Sequence, residues 1–193
     1  MSILIVTCGP AGIGKTTQMQ KLIERDRRRF GAVMSVTTRQ RRSAEDGEWY
    51  RFVSRETADA FDPADVISKL TYHNELYVLL KSEIDKALTS VPIVFMALEP
   101  DAVVLLRSNA IRHALVCCKV GDMAKLEERL QKRGFAGDDL AREKAEAEAY
   151  PYPPQDSSWP QADAVLGSDA GDETAFLAAV KTLAGNLFPH SLE

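Results

Sequence analysis

The chain has 193 residues, of which 45% are hydrophobic and 27% are charged, and its formal net charge at pH 7 is −4. This length suits one well-buried domain, and the net charge excludes a general attraction to nucleic acid. No apolar run of 18 residues exists that could cross a bilayer, so we expect a cytoplasmic protein with no nucleic-acid partner and no membrane partner. The sequence leaves the oligomeric state open, including a homo-oligomer.

The residues after the first predicted strand indicate a phosphate-binding loop. An apolar strand over residues 3–6 leads to Gly9, and Gly14-Lys15-Thr16 follows after four more residues. This spacing between a buried strand and a helical pattern is a Walker A pattern. Its backbone N–H groups would face phosphate oxygens, Lys15 would reach the β- and γ-phosphates, and the Thr16 hydroxyl would bind Mg²⁺. The alternative is a glycine-rich turn that binds nothing, and the register at a strand–helix junction favours the phosphate loop.

A polar segment rich in arginine follows the next predicted elements, a helix over residues 16–28 and a strand over residues 30–36. Three arginines occur within residues 39–42, and Ser35 and Tyr50 lie on either side of them. The planar guanidinium group can bind a phosphate through two hydrogen bonds at once. A solvated basic loop is the alternative, and the position of the run after a strand favours phosphate binding.

The second half of the chain continues the alternation of strands and helices. The predicted elements are a helix over residues 82–88, strands over 92–98 and 114–120, a helix over 123–134, a helical segment over 135–149, a strand over 162–166 and a closing helix over 173–187. Residues 150–154 are rich in proline and predict a surface loop. The continuous apolar character of residues 114–120 is typical of a strand in a sheet that is covered on both faces. The three cysteines lie in apolar contexts without metal-ligand spacing, so we expect buried free thiols.

Several of these residues resemble the guanylate kinase family in type, order and distance. The matching residues downstream of the loop are Ser35-Val36-Thr37-Thr38-Arg39, Arg42, Glu45, Gly47, Tyr50 and Phe52-Val53-Ser54, with weaker similarity at residues 74–77 and 126–134. The resemblance covers most of the chain. It implies a P-loop three-layer α/β fold with a central parallel sheet, a small monophosphate-binding lobe and a helical lid. It also implies transfer of the γ-phosphoryl group of ATP to GMP or dGMP, with Mg²⁺ bound to the ATP.

The resemblance further implies how one domain over residues 1–193 is divided and which residues form its site. The core would cover about residues 1–34, 91–128 and 160–190, the monophosphate-binding lobe about 35–90 and the lid about 129–159. The implied ATP-binding residues are Gly9, Pro10, Ala11, Gly12, Ile13, Gly14, Lys15, Thr16 and Thr17, with Thr16 as the metal ligand. The implied contacts to the acceptor phosphate are Ser35, Arg39, Arg42, Tyr50 and Tyr77, and the implied catalytic residues are Lys15, Arg129, Arg133 and Arg142, with Lys144 as the alternative to Arg142.

Glu99 has two interpretations that the sequence does not separate. It follows a predicted strand at the end where catalytic side chains collect in open α/β sheets. The similar family has two acidic residues around this position, which implies a contact to the acceptor or a water-mediated contact to Mg²⁺. The other interpretation is a residue that only adjoins the start of the helix at Asp101.

The predicted base pocket departs from the pattern of the family. Its residues are Ile67, Ser68 and Leu79, where the family has a glutamate in the first segment and a serine or threonine in the second. An apolar Leu79 cannot pair with the edge of a purine, and each base N–H group buried without a partner costs about 1–3 kcal/mol. Two alternatives to GMP or dGMP therefore stay open: the same chemistry on another nucleotide or on a phosphorylated sugar, and a binding module of this fold that does not catalyse.

Overall fold

The computed structural model describes residues 2–41, 49–72, 74–150, 161–167 and 173–185. A five-stranded sheet lies at the centre, and all of its neighbouring strands are parallel. Numbered in chain order, its strands run across the sheet as β2 (Phe30–Ala32), β7 (Ile93–Ala97), β1 (Ile3–Cys8), β8 (His113–Cys118) and β9 (Ala164–Leu166). The helices are α1 (Lys15–Arg25), α2 (Arg55–Asp59), α3 (Lys81–Ser90), α4 (Pro100–Ser108), α5 (Met123–Lys132), α6 (Gly137–Ala149) and α7 (Glu173–Gly185).

The alternation of side chains along β1 explains why helices cover both faces of this sheet. Ile3 and Ile5 point to one face, where they pack with α1 and α7. Leu4, Val6 and Cys8 point to the other face, where they pack with α3 and α4. Because both sets are apolar, each face must be buried against a helical layer. The structure therefore confirms the predicted three-layer α/β fold.

A second sheet of four strands is formed by the segment that follows β2. Its order is β4 (Tyr50–Phe52), β3 (Ser35–Thr37), β6 (Glu75–Leu80) and β5 (Val66–Tyr72). β6 is antiparallel to both of its neighbours, whereas β3 and β4 are parallel. Val36, Val78 and Leu80 form a separate small core with Ala58 of α2. This sheet faces the carboxyl end of the central sheet across a cleft.

The predicted strand over residues 30–36 is wrong as one element. β2 belongs to the central sheet and β3 to the smaller one, and the chain changes sheets between them. The Val33 N–H donates to the Phe95 carbonyl at 2.9 Å, and two residues later the Ser35 N–H donates to the Trp49 carbonyl at 2.9 Å. An unbroken apolar run does not reveal which partner each half will pair with, so the hydrophobic pattern alone could not place this break.

The other boundaries differ from the predictions by a few residues. α1 ends at Arg25 and not at residue 28, because the backbone of Asp26 leaves the helical conformation. α6 begins at Gly137, and α3 extends the predicted segment at both ends. Of the predicted surface loop 150–154, only Tyr150 is among the described residues. No helix in the described ranges is both long enough and apolar enough to span a membrane.

The packing of Gly9 against β8 can be tested by substitution. Gly9 has a φ of +145°, and an added Cβ atom would lie 2.6 Å from the Cys118 carbonyl oxygen. We expect Gly9→Ala to lower the free energy of unfolding by about 2–5 kcal/mol, because backbone strain and a clash with backbone act together. The control is Gly134→Ala, where φ is +92° and no atom lies within 4 Å of the added Cβ. There we expect a loss of about 1–2 kcal/mol from strain alone. Chemical denaturation measures both values, and equal losses would contradict the clash.

Candidate active site

The loop between β1 and α1 is shaped to bind an anion. Gly12 and Gly14 have φ values of +76° and +101°, which glycine adopts without steric cost. Gly14 precedes the first turn of α1, where no side chain caps the helix and no acidic residue occurs. Since the first N–H groups of a helix lack intrahelical partners and carry partial positive charge, this end of α1 is suited to phosphate oxygens.

Lys15 lies against the loop itself. Its Nζ donates to the carbonyl oxygens of Gly9 and Pro10, the latter at 3.0 Å. Burial lowers the pKa of Lys15, while the carboxylate of Glu99 raises it and the charge of Arg133 lowers it further. The ammonium group is therefore held in the predicted position at the mouth of the loop, with one carboxylate and one guanidinium in its surroundings.

Helix α5 brings two arginines to the loop. Leu126 and Leu130, four residues apart, pack on Gly12, where an added Cβ atom would meet their side chains at 2.9–3.1 Å. This contact places Arg129 beside the loop, and its guanidinium donates to the Ile13 carbonyl at 3.4 Å. Arg133 is the residue that caps the carboxyl end of α5, and its charge lowers the pKa of Lys15. Both arginines thus lie near the loop.

The smaller sheet supplies the second part of the site. Ser35, Tyr50 and Tyr77 line a cleft together, and the rings of Tyr50 and Tyr77 meet edge to face with their centroids 6.0 Å apart. The guanidinium of Arg39 stacks on the ring of Tyr50, with Cζ 4.6 Å from the ring centroid. Arg39 is only 9% exposed and lies behind Tyr50, not in the cleft wall, and it also donates to the Gln40 carbonyl at 2.9 Å. Arg42 lies outside the described residues.

One cleft of about 540 Å³ joins these two parts. Its walls come from the phosphate loop, the smaller sheet, the start of α4, the helix α6 and the residue that follows α6. The lining residues are Pro10, Ala11, Ser35, Tyr50, Ser68, Leu70, Thr71, Tyr77, Val78, Leu79, Ala97, Leu98, Glu99, Asp101, Ala102, Glu143, Glu146 and Tyr150. The loop predicted to hold one phosphate and the residues predicted to hold another therefore open into the same space.

Four carboxyl groups line the cleft: those of Glu99, Asp101, Glu143 and Glu146. Partial burial raises the pKa of Glu99, the charge of Lys15 lowers it, and the other three carboxylates raise it. Glu99 is the residue before α4, yet its side chain makes no capping hydrogen bond. Glu99 thus adjoins the start of α4, as one interpretation says. It also lines the cleft, as the other interpretation requires.

The predicted base pocket is only partly assembled. Ser68 and Leu79 line the cleft, whereas Ile67 does not. Ile67 packs in the core beneath the cleft with Leu79 and Ile84, because neighbouring residues of a strand point to opposite faces. A register irregularity between Val66 and Ser68 lies at this point of β5. The assignment of Ile67 to the base pocket was wrong for this reason.

The cleft-facing side of α6 is acidic, not basic. Arg142 forms an ion pair with Asp139 at 2.8 Å on the exposed side of the helix, and Lys144 forms one with Glu127 of α5 at 2.5 Å. Neither lines the cleft, so the structure does not bring the predicted catalytic Arg142, or its alternative, to the site. Glu143, only 4% exposed, takes the inward position between them.

Among the cleft-lining residues that the sequence reasoning missed, three belong to α6 or directly follow it. Glu143 and Glu146 are three residues apart and share one face of α6, a spacing that was visible in the sequence. Tyr150 was assigned to a surface loop because prolines follow it, but its side chain lines the cleft and lies close enough to Cys8 to lower the pKa of that thiol. Composition gave no indication of this inward position.

The site offers oxygen ligands for a metal ion, but the described residues do not provide a complete coordination shell. Within the described residues, no group of three or more histidine, cysteine, aspartate or glutamate side chains is placed to hold a metal. Mg²⁺ commonly takes one or two protein oxygens and completes its shell with substrate phosphates and water. The Thr16 hydroxyl at the loop and the Glu99 carboxylate near Lys15 are groups of the kind that Mg²⁺ prefers, so the residues fit an ion that arrives with a nucleotide.

The electrostatic link between Glu99 and Lys15 can be measured directly. We expect Glu99→Gln to lower the pKa of Lys15, because the carboxylate that now favours the ammonium form is removed. The control is Asp101→Asn, which removes a carboxylate that raises the pKa of Glu99 and is not among the charges that shift the pKa of Lys15, so the Lys15 titration should be unchanged. The Lys15 Cε resonance followed by NMR against pH reports both. A pKa of Lys15 that stays the same or rises in Glu99→Gln would contradict the contact.

The chain resembles known proteins in family, sequence and structure. The guanylate kinase family model matches residues 1–154. A guanylate kinase of Latilactobacillus sakei is 31% identical over 134 residues, which cover 68% of this chain and 66% of that protein. One of Lactiplantibacillus plantarum is 29% identical over 134 residues, which cover 68% and 65%. The chain thus matches just under two thirds of the length of these relatives.

A structural relative has the same fold. The crystal structure of a guanylate kinase from Anaplasma phagocytophilum aligns with a TM-score of 0.61 at 19% identity, over 95% of this chain and 85% of that one. At this identity the likeness supports the fold alone. The family match, in contrast, extends from the phosphate loop through α6 and includes every cleft-lining residue of both sheets. The chain belongs to the guanylate kinase family.

Proposed function

We propose that this protein is an ATP-dependent nucleoside monophosphate kinase, which transfers the γ-phosphoryl group of ATP to GMP, dGMP or a related nucleotide. The observation that carries this proposal is the single cleft shared by the phosphate loop and by Ser35, Tyr50 and Tyr77. Phosphoryl transfer requires that the attacking oxygen, the phosphorus and the leaving oxygen lie in line. Two phosphate-binding regions that face one cleft can hold donor and acceptor in such an arrangement.

The donor phosphates would lie on residues 9–17. The N–H groups of the loop and of the first turn of α1 would hold them, and Lys15 would exchange its two carbonyl partners for β- and γ-phosphate oxygens. Arg129 and Arg133 would approach from α5 and offset the charge that spreads over the transferring group. Because α6 turns Arg142 away from the cleft, that residue has no part in the proposal.

The acceptor phosphate would lie on the smaller sheet. Ser35, Tyr50 and Tyr77 offer hydroxyl groups, and Arg39 supplies the positive charge behind Tyr50. Arg42 is a further proposed contact from the same arginine-rich segment. An ionised phosphate monoester is already a nucleophile, so the reaction needs no dedicated base.

Mg²⁺ is proposed to arrive with ATP, where it would bridge phosphate oxygens and neutralise charge. Thr16 would be its protein ligand at the loop, and Glu99 would contact it through water or contact the acceptor instead. The proposed partners are therefore ATP and a nucleoside monophosphate. The cytoplasmic location and the oligomeric state stay predictions.

Ser68 and Leu79 favour a second candidate acceptor. Both line the cleft beyond Tyr77, and neither provides a carboxylate to pair with the N–H groups of guanine. The carboxyl groups that line the cleft belong to Glu99 and to residues of α4 and α6, and none belongs to the smaller sheet. The same transfer onto a nucleotide with another base, or onto a phosphorylated sugar, fits this wall equally well.

A panel of acceptors tests both candidates. With ATP and Mg²⁺ present, we expect ADP release with GMP or dGMP when the common nucleoside monophosphates and phosphorylated sugars are compared in a coupled assay. Lys15→Ala should lower kcat/KM at least about 100-fold, because an interaction with the transferring group is lost. Lys21→Ala, on the exposed side of α1, is the matched control and should leave kcat/KM unchanged.

Each other result in this panel has a distinct meaning. Turnover confined to an acceptor without guanine would overturn the GMP assignment and support the second candidate. If no acceptor released ADP and calorimetry detected no ATP binding with Mg²⁺ present, the kinase proposal would be wrong and a binding module would be favoured.

A second pair of variants separates the acceptor side from the donor side. We expect Arg39→Gln to raise KM for the acceptor by about tenfold, equivalent to about 1.4 kcal/mol, since the positive charge behind Tyr50 is lost. KM for ATP should stay the same. The control is Arg51→Gln, because Arg51 is on the same sheet but pairs with Glu83 at 3.3 Å and stacks over Phe61 away from the cleft. Equal changes in both KM values would contradict an acceptor role for Arg39.

A further inference from the structure

We propose that Cys8 and Cys117 form an oxidisable dithiol beneath the phosphate loop, and that their disulfide weakens nucleotide binding at that loop. The first part concerns a modification site and stands on geometry alone. The second part rests on the proposed function, because it assumes that the loop binds ATP.

The two cysteines face each other across neighbouring strands. Cys8 ends β1, Cys117 is its direct partner in β8, and their sulfur atoms are 2.8 Å apart. Parallel strands lie about 4.8 Å apart, which is within the range of Cα separations that disulfides span. Since the sulfur–sulfur bond is about 2.05 Å long, closing it needs a movement of less than about 1 Å. The two strands therefore hold the sulfur atoms close enough for the bond to form after a small shift.

The third cysteine is excluded by the alternation of side chains along β8. Cys118 follows Cys117 directly, so its side chain points to the opposite face of the sheet. There it packs with Ile13 in a separate cluster, while Cys8 and Cys117 share a cluster on the other face. Burial raises the pKa of Cys118 to about 11, which keeps it a thiol.

The surroundings of the two cysteines differ, and they favour Cys8 as the nucleophile and Cys117 as the resolving thiol. The two thiols share a hydrogen bond, and this contact lowers the pKa of Cys8 against the opposing effect of burial. The nearby Tyr150 hydroxyl and the charge of Lys15 lower the pKa of Cys8 as well. The contact between the thiols raises the pKa of Cys117, which keeps its proton. The lowered pKa favours Cys8 as the first site of oxidation.

Access to Cys8 is through the cleft. Both sulfurs belong to residues that are only 2% exposed, and Tyr150, which lines the cleft, contacts Cys8. Tyr150 directly follows α6, so a displacement of this residue uncovers the sulfur. A small oxidant such as hydrogen peroxide is the reagent that fits this route.

The oxidation is balanced with hydrogen peroxide as the oxidant. The Cys8 thiolate attacks one peroxide oxygen, the oxygen–oxygen bond breaks, and hydroxide leaves to give a sulfenic acid. The Cys117 sulfur then attacks the Cys8 sulfur, and the sulfenic oxygen leaves as water with the thiol proton. Two thiols and one peroxide thus yield one disulfide and two waters, with sulfur oxidised and peroxide oxygen reduced.

Oxidation at this point reaches the phosphate loop because the next residue is Gly9. Gly9 packs on the backbone of Cys118 so closely that an added Cβ atom would lie 2.6 Å from its carbonyl oxygen. A shift of Cys8 toward Cys117 therefore cannot be absorbed at Gly9 and displaces the loop. The bond also changes the sulfur group that lies beside Tyr150, which loosens one wall of the cleft.

Mass spectrometry of the full chain tests the dithiol. After reduction and exposure to hydrogen peroxide, we expect a loss of two of the three thiols, a mass lower by about 2 Da, and a linked pair of peptides that contain Cys8 and Cys117. Cys118→Ser should give the same linked pair, and Cys117→Ser should give none. Three results would overturn the dithiol: a disulfide that includes Cys118, a sulfinic acid at Cys8 in the wild type, or no loss of thiols. Mapping the wild-type protein decides the matter even where Cys117→Ser does not fold.

Calorimetry with ATP and Mg²⁺ tests the coupling to the loop. We expect the Kd for ATP to rise about tenfold on oxidation of the wild type and of Cys118→Ser, and to return after dithiothreitol. Cys117→Ser should keep one Kd before and after peroxide. A disulfide that forms without a change in Kd would overturn the coupling. If reduced protein bound no ATP, the proposed function would fail and with it the coupling, while the mass measurement would still decide the dithiol.

Discussion

The close packing of one glycine-rich loop between β1, β8 and α5 determines the geometry of the whole site. Gly9 touches the backbone of Cys118, and Gly12 receives the side chains of Leu126 and Leu130. Any residue with a side chain at Gly9 or Gly12 would push β8 or α5 away from the loop. Because the loop is enclosed in this way, the position of α5 is fixed relative to α1, and Arg129 reaches the Ile13 carbonyl. The packing of apolar side chains and backbone atoms therefore sets where the charged groups of the site lie.

Those parts of the fold and the site that depend on local pattern could be predicted from the sequence. The apolar runs of β1, β7 and β8 required a sheet covered on both faces, and the Walker A spacing located the loop. Ser35, Tyr50 and Tyr77 were grouped correctly although they are up to 42 residues apart, because the family pattern includes all three. Residues whose neighbours all lie within one element were predicted best.

The remaining features depend on contacts between elements, which no local pattern contains. The break between β2 and β3 follows from two different pairing partners, Phe95 and Trp49. The inward side of α6 is set by the packing of its apolar residues, such as Ala147, on Leu126 and Leu130 of α5, so the identity of residues 142–144 alone did not show which one faces the cleft. Tyr150 lies near Cys8, which is more than 140 residues away along the chain.

Basic groups lie at the phosphate loop and acidic groups in the wall of the cleft. Lys15 and Arg129 contact the loop, whereas Glu143, Glu146 and Asp101 line the cleft and act on Glu99. Such an arrangement of charges produces a gradient of electrostatic potential between the loop and the cleft. An incoming molecule with a phosphate at one end and neutral hydrogen-bond donors at the other is turned by this field before it touches the walls. Dissolved salt shortens the reach of the field to about 10 Å at 0.1 M, so this orienting effect is strongest within the cleft itself.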